Sequence, residues 1–214
     1  MENKIDIFDE NYCKIGEASK SLAHKLGLWH RVFTCLIIDK SKETVYFQRK
    51  VRNRYTFDRP NYIDISVGGH YHAGEEIEDG VREFVEETGM QVTFSDLISL
   101  GIRRSVFSID KSYYCCEYQH VFLYDLDGKE AAFAGDVSEI SEFVEVKLMD
   151  FLDLLLQKKV TVPAMILGRQ TQYEDKLSNS DIDPAFLEQD QFLLRLVIAA
   201  IRYVHGENIE LLFW

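Results

Sequence analysis

The stretch that decides the fold runs from Gly68 to Met90, GGHYHAGEEIEDGVREFVEETGM. Between Glu75 and Glu87 it holds seven acids (75, 76, 78, 79, 83, 86 and 87) against one base, Arg82. Ile77, Val81, Phe84, Val85 and Thr88 recur at i, i+4, i+7, i+8 and i+11, the face of an amphipathic helix. The spacing therefore predicts a helix beginning near Glu75. Glu83, Glu86 and Glu87 stand at i, i+3 and i+4, which brings neighbouring Cβ atoms to roughly 5 to 6 Å on one side of that helix. Like charges so placed repel, and the last turns of a helix disfavour anions further. A solvated acidic face is the ordinary fate of such a run. Converging hard oxygen ligands instead suit Mg²⁺ or Mn²⁺, which keep several waters and bridge to phosphates.

Working outward, Ile5–Phe8 and Cys13–Ile15 read as a hairpin over residues 5–16, with Asp9-Glu10-Asn11 as its turn. The run Val32–Ile38 reads as a strand buried on both faces, with Thr44–Gln48 as its hairpin partner. Ile63–Val67, Leu100–Ile109 and Tyr113–Asp125 read as further strands. Helices are expected to close the chain: residues 148–156, with Phe151, Leu152, Leu155 and Leu156 on one side, and residues 184–205, with Asp183 as cap, Pro184 at the first position and Gly206 as stop. Strands with interspersed helices predict an α/β sandwich with a mixed sheet, one domain over 1–214 with its core at about 28–160.

Composition narrows the function. A formal charge of -12 leaves no basic stripe for nucleic acid, and an anionic substrate would need divalent cations or a local cluster of bases. The four cysteines (13, 35, 115 and 116) lack zinc or redox spacing and read as reduced core or strand residues. The polar N-terminus lacks an apolar leader core, and no stretch approaches the ~18 to 20 apolar residues of a membrane span. A cytoplasmic protein without nucleic-acid or membrane partners is expected, and a homodimer is left open.

Arg82-Glu83-Phe84-Val85-Glu86-Glu87-Thr88-Gly89-Met90 resembles the helical half of the Nudix box, Arg-Glu-apolar-x-Glu-Glu-x-Gly-apolar, and the glycine loop with Glu75 looks like its other half. The family usually leaves seven residues between loop Glu and Arg. Here Glu75 and Arg82 enclose six, which leaves the role of Glu75 open. Gly27–Arg31, Val32–Ile38, Phe47–Lys50 and Asp64–His70 are similar to the branch related to isopentenyl-diphosphate isomerase.

The resemblance implies a Nudix-type α/β/α sandwich and a metal-dependent hydrolase that splits a diphosphate linkage in a small molecule. It implies that Glu83, Glu86, Glu87 and the Gly68 carbonyl hold the Mg²⁺ or Mn²⁺, and that Glu86 or Glu87, or another acid, activates the attacking water. Arg82 would position a box glutamate. Glu139 occupies the place of a late family acid, and Glu117 matches a metal-binding Glu of the isomerase. His70, His72 and His120 read as loop and strand polar groups near substrate. Isomerisation is the rival activity, but residues 50–63 lack the cysteine it requires. A silent nucleotide-binding module is the third reading, disfavoured by intact box glutamates.

Overall fold

The computed structural model describes residues 4–51, 62–131, 133–135, 140–184, 187 and 191–212. Glu139 lies outside the described residues. Among those described, eleven strands join one mixed sheet. The N-terminal hairpin is β1 (Lys4–Phe8) and β2 (Lys14–Ser19), followed by α1 (Lys20–Leu26). Ser19 caps this helix through its hydroxyl, and Gly27 ends it in the left-handed region at φ 63°.

At the centre β3 (Trp29–Asp39) pairs in parallel with β8 (Tyr113–Asp125), from His30↔Glu117 to Ile38↔Asp125. Both of its faces are covered, Leu36 and Ile38 packing into one core and Phe33, Cys35 and Ile37 into the other, which is why its Val32–Ile38 segment carries an almost unbroken apolar run. Around this pair lie β4 (Thr44–Lys50), β5 (Ile63–Asp64), β6 (Val67–His70) and β7 (Leu97–Asp110). The expected strand Ile63–Val67 is thus two short strands. Ser66 interrupts it: its hydroxyl accepts from the Ile37 N–H at 2.8 Å and donates to the Tyr46 carbonyl.

The predicted sequence of helices after Asp125 needs correction. Three strands intervene: β9 (Ile140–Lys147), β10 (Thr161–Leu167) and β11 (Gln172–Ser178). They extend the sheet beyond β4 in the order β4-β9-β10-β11. Between β9 and β10, α3 covers Leu148–Leu155, as its apolar side predicts. Pro184 and Leu187 are helical as expected, but the last described helix, α4, covers Phe192–Val204, because Gln191 takes a left-handed conformation at φ 56° and divides the expected single helix.

Helices cover both faces, the expected α/β/α arrangement. One core packs Phe151, Leu154, Leu193 and Val197 of α3 and α4 against Leu36, Ile38, Val45 and Val121 of the sheet. The other places Phe84 against Phe33, Tyr46, Val67 and Tyr124. Among the described residues no helix is long and apolar enough to cross a membrane.

Candidate active site

The helix carrying Phe84 is α2, Val81–Thr88, shorter than the predicted one. Glu75 does not belong to it. Gly74 turns the chain at φ 82°, and a 3-10 turn at Glu78–Gly80 leads into the helix. The reason is a local competitor for helical bonding: the Glu75 carboxylate accepts from the His72 N–H at 2.7 Å. It also accepts Arg82 Nε at 2.9 Å and Nη2 at 3.2 Å, a bidentate pairing that holds its carboxyl below the usual range against the opposing effect of burial. The loop one residue short of the family pattern therefore still delivers Glu75 to Arg82.

Arg82 joins all the box acids except Glu87. Its Nη1 lies 2.9 Å from Glu83 and 3.1 Å from Glu86, and its Nη2 donates to the His70 carbonyl at 3.2 Å. Glu87 points the other way, into the sheet, and is 3 % exposed. Its Oε2 accepts from the Gly68 N–H at 2.9 Å and Gln48 Nε2 at 3.2 Å, while Lys50 forms an ion pair with Oε1. Glu83 sits so close over Gly69 that a Cβ there would collide with its carboxylate. Burial pushes the Glu83 carboxyl up, and neighbouring Glu87 adds to this. Such a crowded carboxylate gains from a divalent cation. The side chain of Glu86 is 55 % exposed, the most open of the three.

The C-terminal end of α2 is fixed by its own residues. Thr88 Oγ1 donates to the Phe84 carbonyl at 2.6 Å, and Gly89 closes the helix at φ 75°. Ala134 N–H donates to the Thr88 carbonyl at 2.8 Å, laying the loop of Phe133–Gly135 against this end.

A second constellation escaped the sequence reading. His24 of α1, His30 of β3, His70 of β6 and Glu117 of β8 bring one ligand atom each within 4.8 Å of one another. Only His70 and Glu117 among them had been singled out. His30 Nδ1 donates to the Leu28 carbonyl at 2.7 Å, and its buried Nε2 has no hydrogen-bond partner. His24 Nδ1 donates to the Tyr114 carbonyl at 3.1 Å, leaving its Nε2 3.0 Å from that of His70. Bonds of this kind fix the tautomer that offers a lone pair to a metal. Burial pushes His24 and His30 down to about 4, so both are neutral at pH 7. Glu117 is held by Gln119 Nε2 at 2.7 Å, itself bonded through Oε1 to Arg103 at 2.8 Å. Glu117 therefore lies with the histidines rather than among the box glutamates. The two groups meet at β6, where the His70 side chain serves one and its carbonyl the other.

His72 lies 3.6 Å from Glu75, and His120 accepts from the Tyr12 hydroxyl at 2.6 Å. Cys115 and Cys116 are strand residues as expected, with Cys115 Sγ 3.9 Å from His24 Nδ1. Burial, with Arg31 adding, pushes His120 down to about 4. A histidine lowered in the fold binds its proton more readily in the unfolded chain. Its contribution to stability is complete above about pH 6.5 and is lost as pH falls toward 4, at about 1.4 kcal/mol per pH unit. Thermal unfolding of His120→Gln in chelator should accordingly show a shallower fall between pH 6.5 and 4.5 than the parent; equal slopes would contradict this.

A parallel strand pair with mixed strands around it, helices on both faces and an acid-rich helix leaving a Gly-Gly strand define a Nudix-type sandwich. The NUDIX domain profile matches residues 28–167. The chain belongs to the Nudix family. It is 31% identical over 159 residues to an uncharacterized Nudix hydrolase of Clostridium acetobutylicum, covering 74% of this chain and 76% of that one. It is 26% identical over 156 residues to isopentenyl-diphosphate Delta-isomerase 2 of Photorhabdus laumondii, covering 72% and 83%. The crystal structure of DR0079 from Deinococcus radiodurans shares the fold, with a TM-score of 0.51, 21% identity and coverage of 73% and 90%.

Proposed function

We propose that the chain is a cytoplasmic, Mg²⁺- or Mn²⁺-dependent hydrolase that splits the diphosphate linkage of a small soluble anion of the nucleoside-diphosphate type. The coarser reading, a Nudix pyrophosphohydrolase, rests on family membership. The observation that carries the finer one is the Glu83 carboxylate, crowded by burial and by the charge of Glu87 on the helix whose Glu87 bonds the Gly68 N–H. In this reading those carboxylates and the Gly68 carbonyl hold the ion. When bound, the ion supplies Lewis-acid polarisation and a lowered pKa for water. Arg82 keeps Glu83 and Glu86 in register while Glu75 fixes Arg82. Glu86, open to solvent, takes the proton of the attacking water, with Glu139 as the other candidate for this role.

The test is a panel of nucleoside diphosphate derivatives, dinucleoside polyphosphates, coenzymes and prenyl diphosphates, assayed with Mg²⁺ for released phosphate or monophosphate. Millimolar Mg²⁺ or Mn²⁺ should also raise the melting temperature, by an amount set by concentration over dissociation constant. The rise should shrink in Glu83→Gln and persist in Glu78→Gln, whose exposed carboxylate belongs to the 3-10 turn. No rise in the parent would count against the box as a metal site.

A second reading has its own observation. Three neutral-leaning histidines with one carboxylate form a nitrogen-rich ligand set distinct from the box, suited to Zn²⁺ or Mn²⁺. Together with the isomerase relative, it keeps isomerisation of a prenyl diphosphate in view. Cys115 is the thiol next to that set, and the thiol of Cys116 beside it is pushed up by burial and by Glu117, the opposite of what an activated nucleophile needs. Product analysis separates the readings. Phosphate release supports hydrolysis, and a rearranged prenyl diphosphate with no phosphate supports isomerisation.

A further inference from the structure

The sheet beyond β4 has a face that the proposed chemistry does not use. Alternate residues of β4, β9, β10 and β11 point to the α2 side, and the strand registers align them in rows. Tyr46, Glu145, Met165 and Glu174 form one row. Thr44 and Lys147 pair in the next, which continues through Pro163 and Lys176. The rows lie two residues apart along each strand, about 7 Å. An acidic row therefore runs beside a basic row, with Met165 and Pro163 between their charges. Together they floor an open groove of about 730 Å³. On the far side of the acidic row, Phe133 stacks on Phe143 at 3.7 Å and stands edge-on to Tyr46 at 5.6 Å.

β11 adds a second observation. Gln172 to Lys176 are exposed at five successive positions, so this segment of strand has cover on neither side. A pleated strand of a folded domain ordinarily buries alternate residues. Tyr173 stands 48% exposed on it.

The geometry points to a second copy of this chain as the occupant, in a two-fold dimer. Place the axis in the plane of contact, parallel to the rows and midway between them. Rotation then lays the acidic row of each copy over the basic row of the other. Lys147 of one copy meets Glu145 of the other, Lys176 meets Glu174, and the contact closes on itself as an isologous interface requires. Charge also favours this face for self-association. At -12 overall, two copies repel over most of their surface, whereas these two rows balance two acids with two bases. Neither row belongs to the metal or water chemistry proposed above, so the dimer stands or falls independently of that reading.

Sedimentation of the full chain at about 100 μM in low salt tests it, together with the exposed pair on β11. The parent should sediment as a dimer that weakens with salt. Glu174→Lys and Lys176→Glu should each be monomeric, since each sets like charges against one another twice per interface. Mixed in equal amounts, the two variants should restore the dimer, because a doubly basic β11 then faces a doubly acidic one. Glu145→Lys and Lys147→Glu repeat the test on β9 should either β11 variant fail to fold. A monomeric parent would overturn the proposal. So would variants that remain dimeric, or a mixture that stays monomeric.

Discussion

Glu87→Gln is expected to lower turnover by about 10²- to 10⁴-fold while the protein remains folded. The neutral amide keeps an oxygen for the Gly68 N–H and the shape of the side chain. It loses the charge that Lys50 now balances and that a divalent ion would require. Because Glu87 is buried and held from three sides, substitution should act on the rate with little change in overall shape. Glu86→Gln should cost a comparable factor by another route, through the proton it is proposed to take. Turnover with Mg²⁺ measured beside Glu78→Gln on the same preparation decides this. If Glu78→Gln were as damaging as Glu87→Gln, the helix would be a general acidic surface and the assignment would fail.

Phe84→Ala is expected to destabilise the fold by about 3 to 5 kcal/mol, the usual cost of emptying a buried aromatic site. Phe84 is fully buried, edge-on to Tyr124 at 4.9 Å, and it fastens α2 to the sheet. Its neighbours on the helix are the box glutamates, so the same change should also blunt metal-dependent stabilisation. Denaturant unfolding with and without Mn²⁺ measures both. A loss below about 1 kcal/mol would mean that α2 is held by its polar contacts instead.

The box was legible because its chemistry and its fold share one short segment. Phe84 and Thr88 mark the buried side of α2, and the acids at 83, 86 and 87 keep helical spacing that no tertiary contact needs to supply. β3 was legible for a related reason, since burial on both faces writes an apolar run into it, and β8 was legible from the alternation along Tyr113–Asp125. Glu75 was misplaced because helix periodicity cannot see a carboxylate turned back to the His72 N–H. β11 was missed because its residues 172–176 are exposed on both sides and leave no period of two. The histidine group was hidden by distance along the chain. His24 and His30 flank the turn at Gly27, while His70 and Glu117 join them only through the registers Val32↔His70 and His30↔Glu117. Those registers could be read only after β3 had been placed between β6 and β8.

The central claim is that water attacks a diphosphate at the α2 site. It is tested most directly by incubating the substrate panel with Mg²⁺ in ¹⁸O-labelled water and weighing the products by mass spectrometry. The account predicts one solvent-derived ¹⁸O in a released phosphate or monophosphate, dependent on Mg²⁺ and nearly abolished in Glu87→Gln. Labelled product that persists undiminished in Glu87→Gln, or a rearranged diphosphate carrying no label, would contradict it.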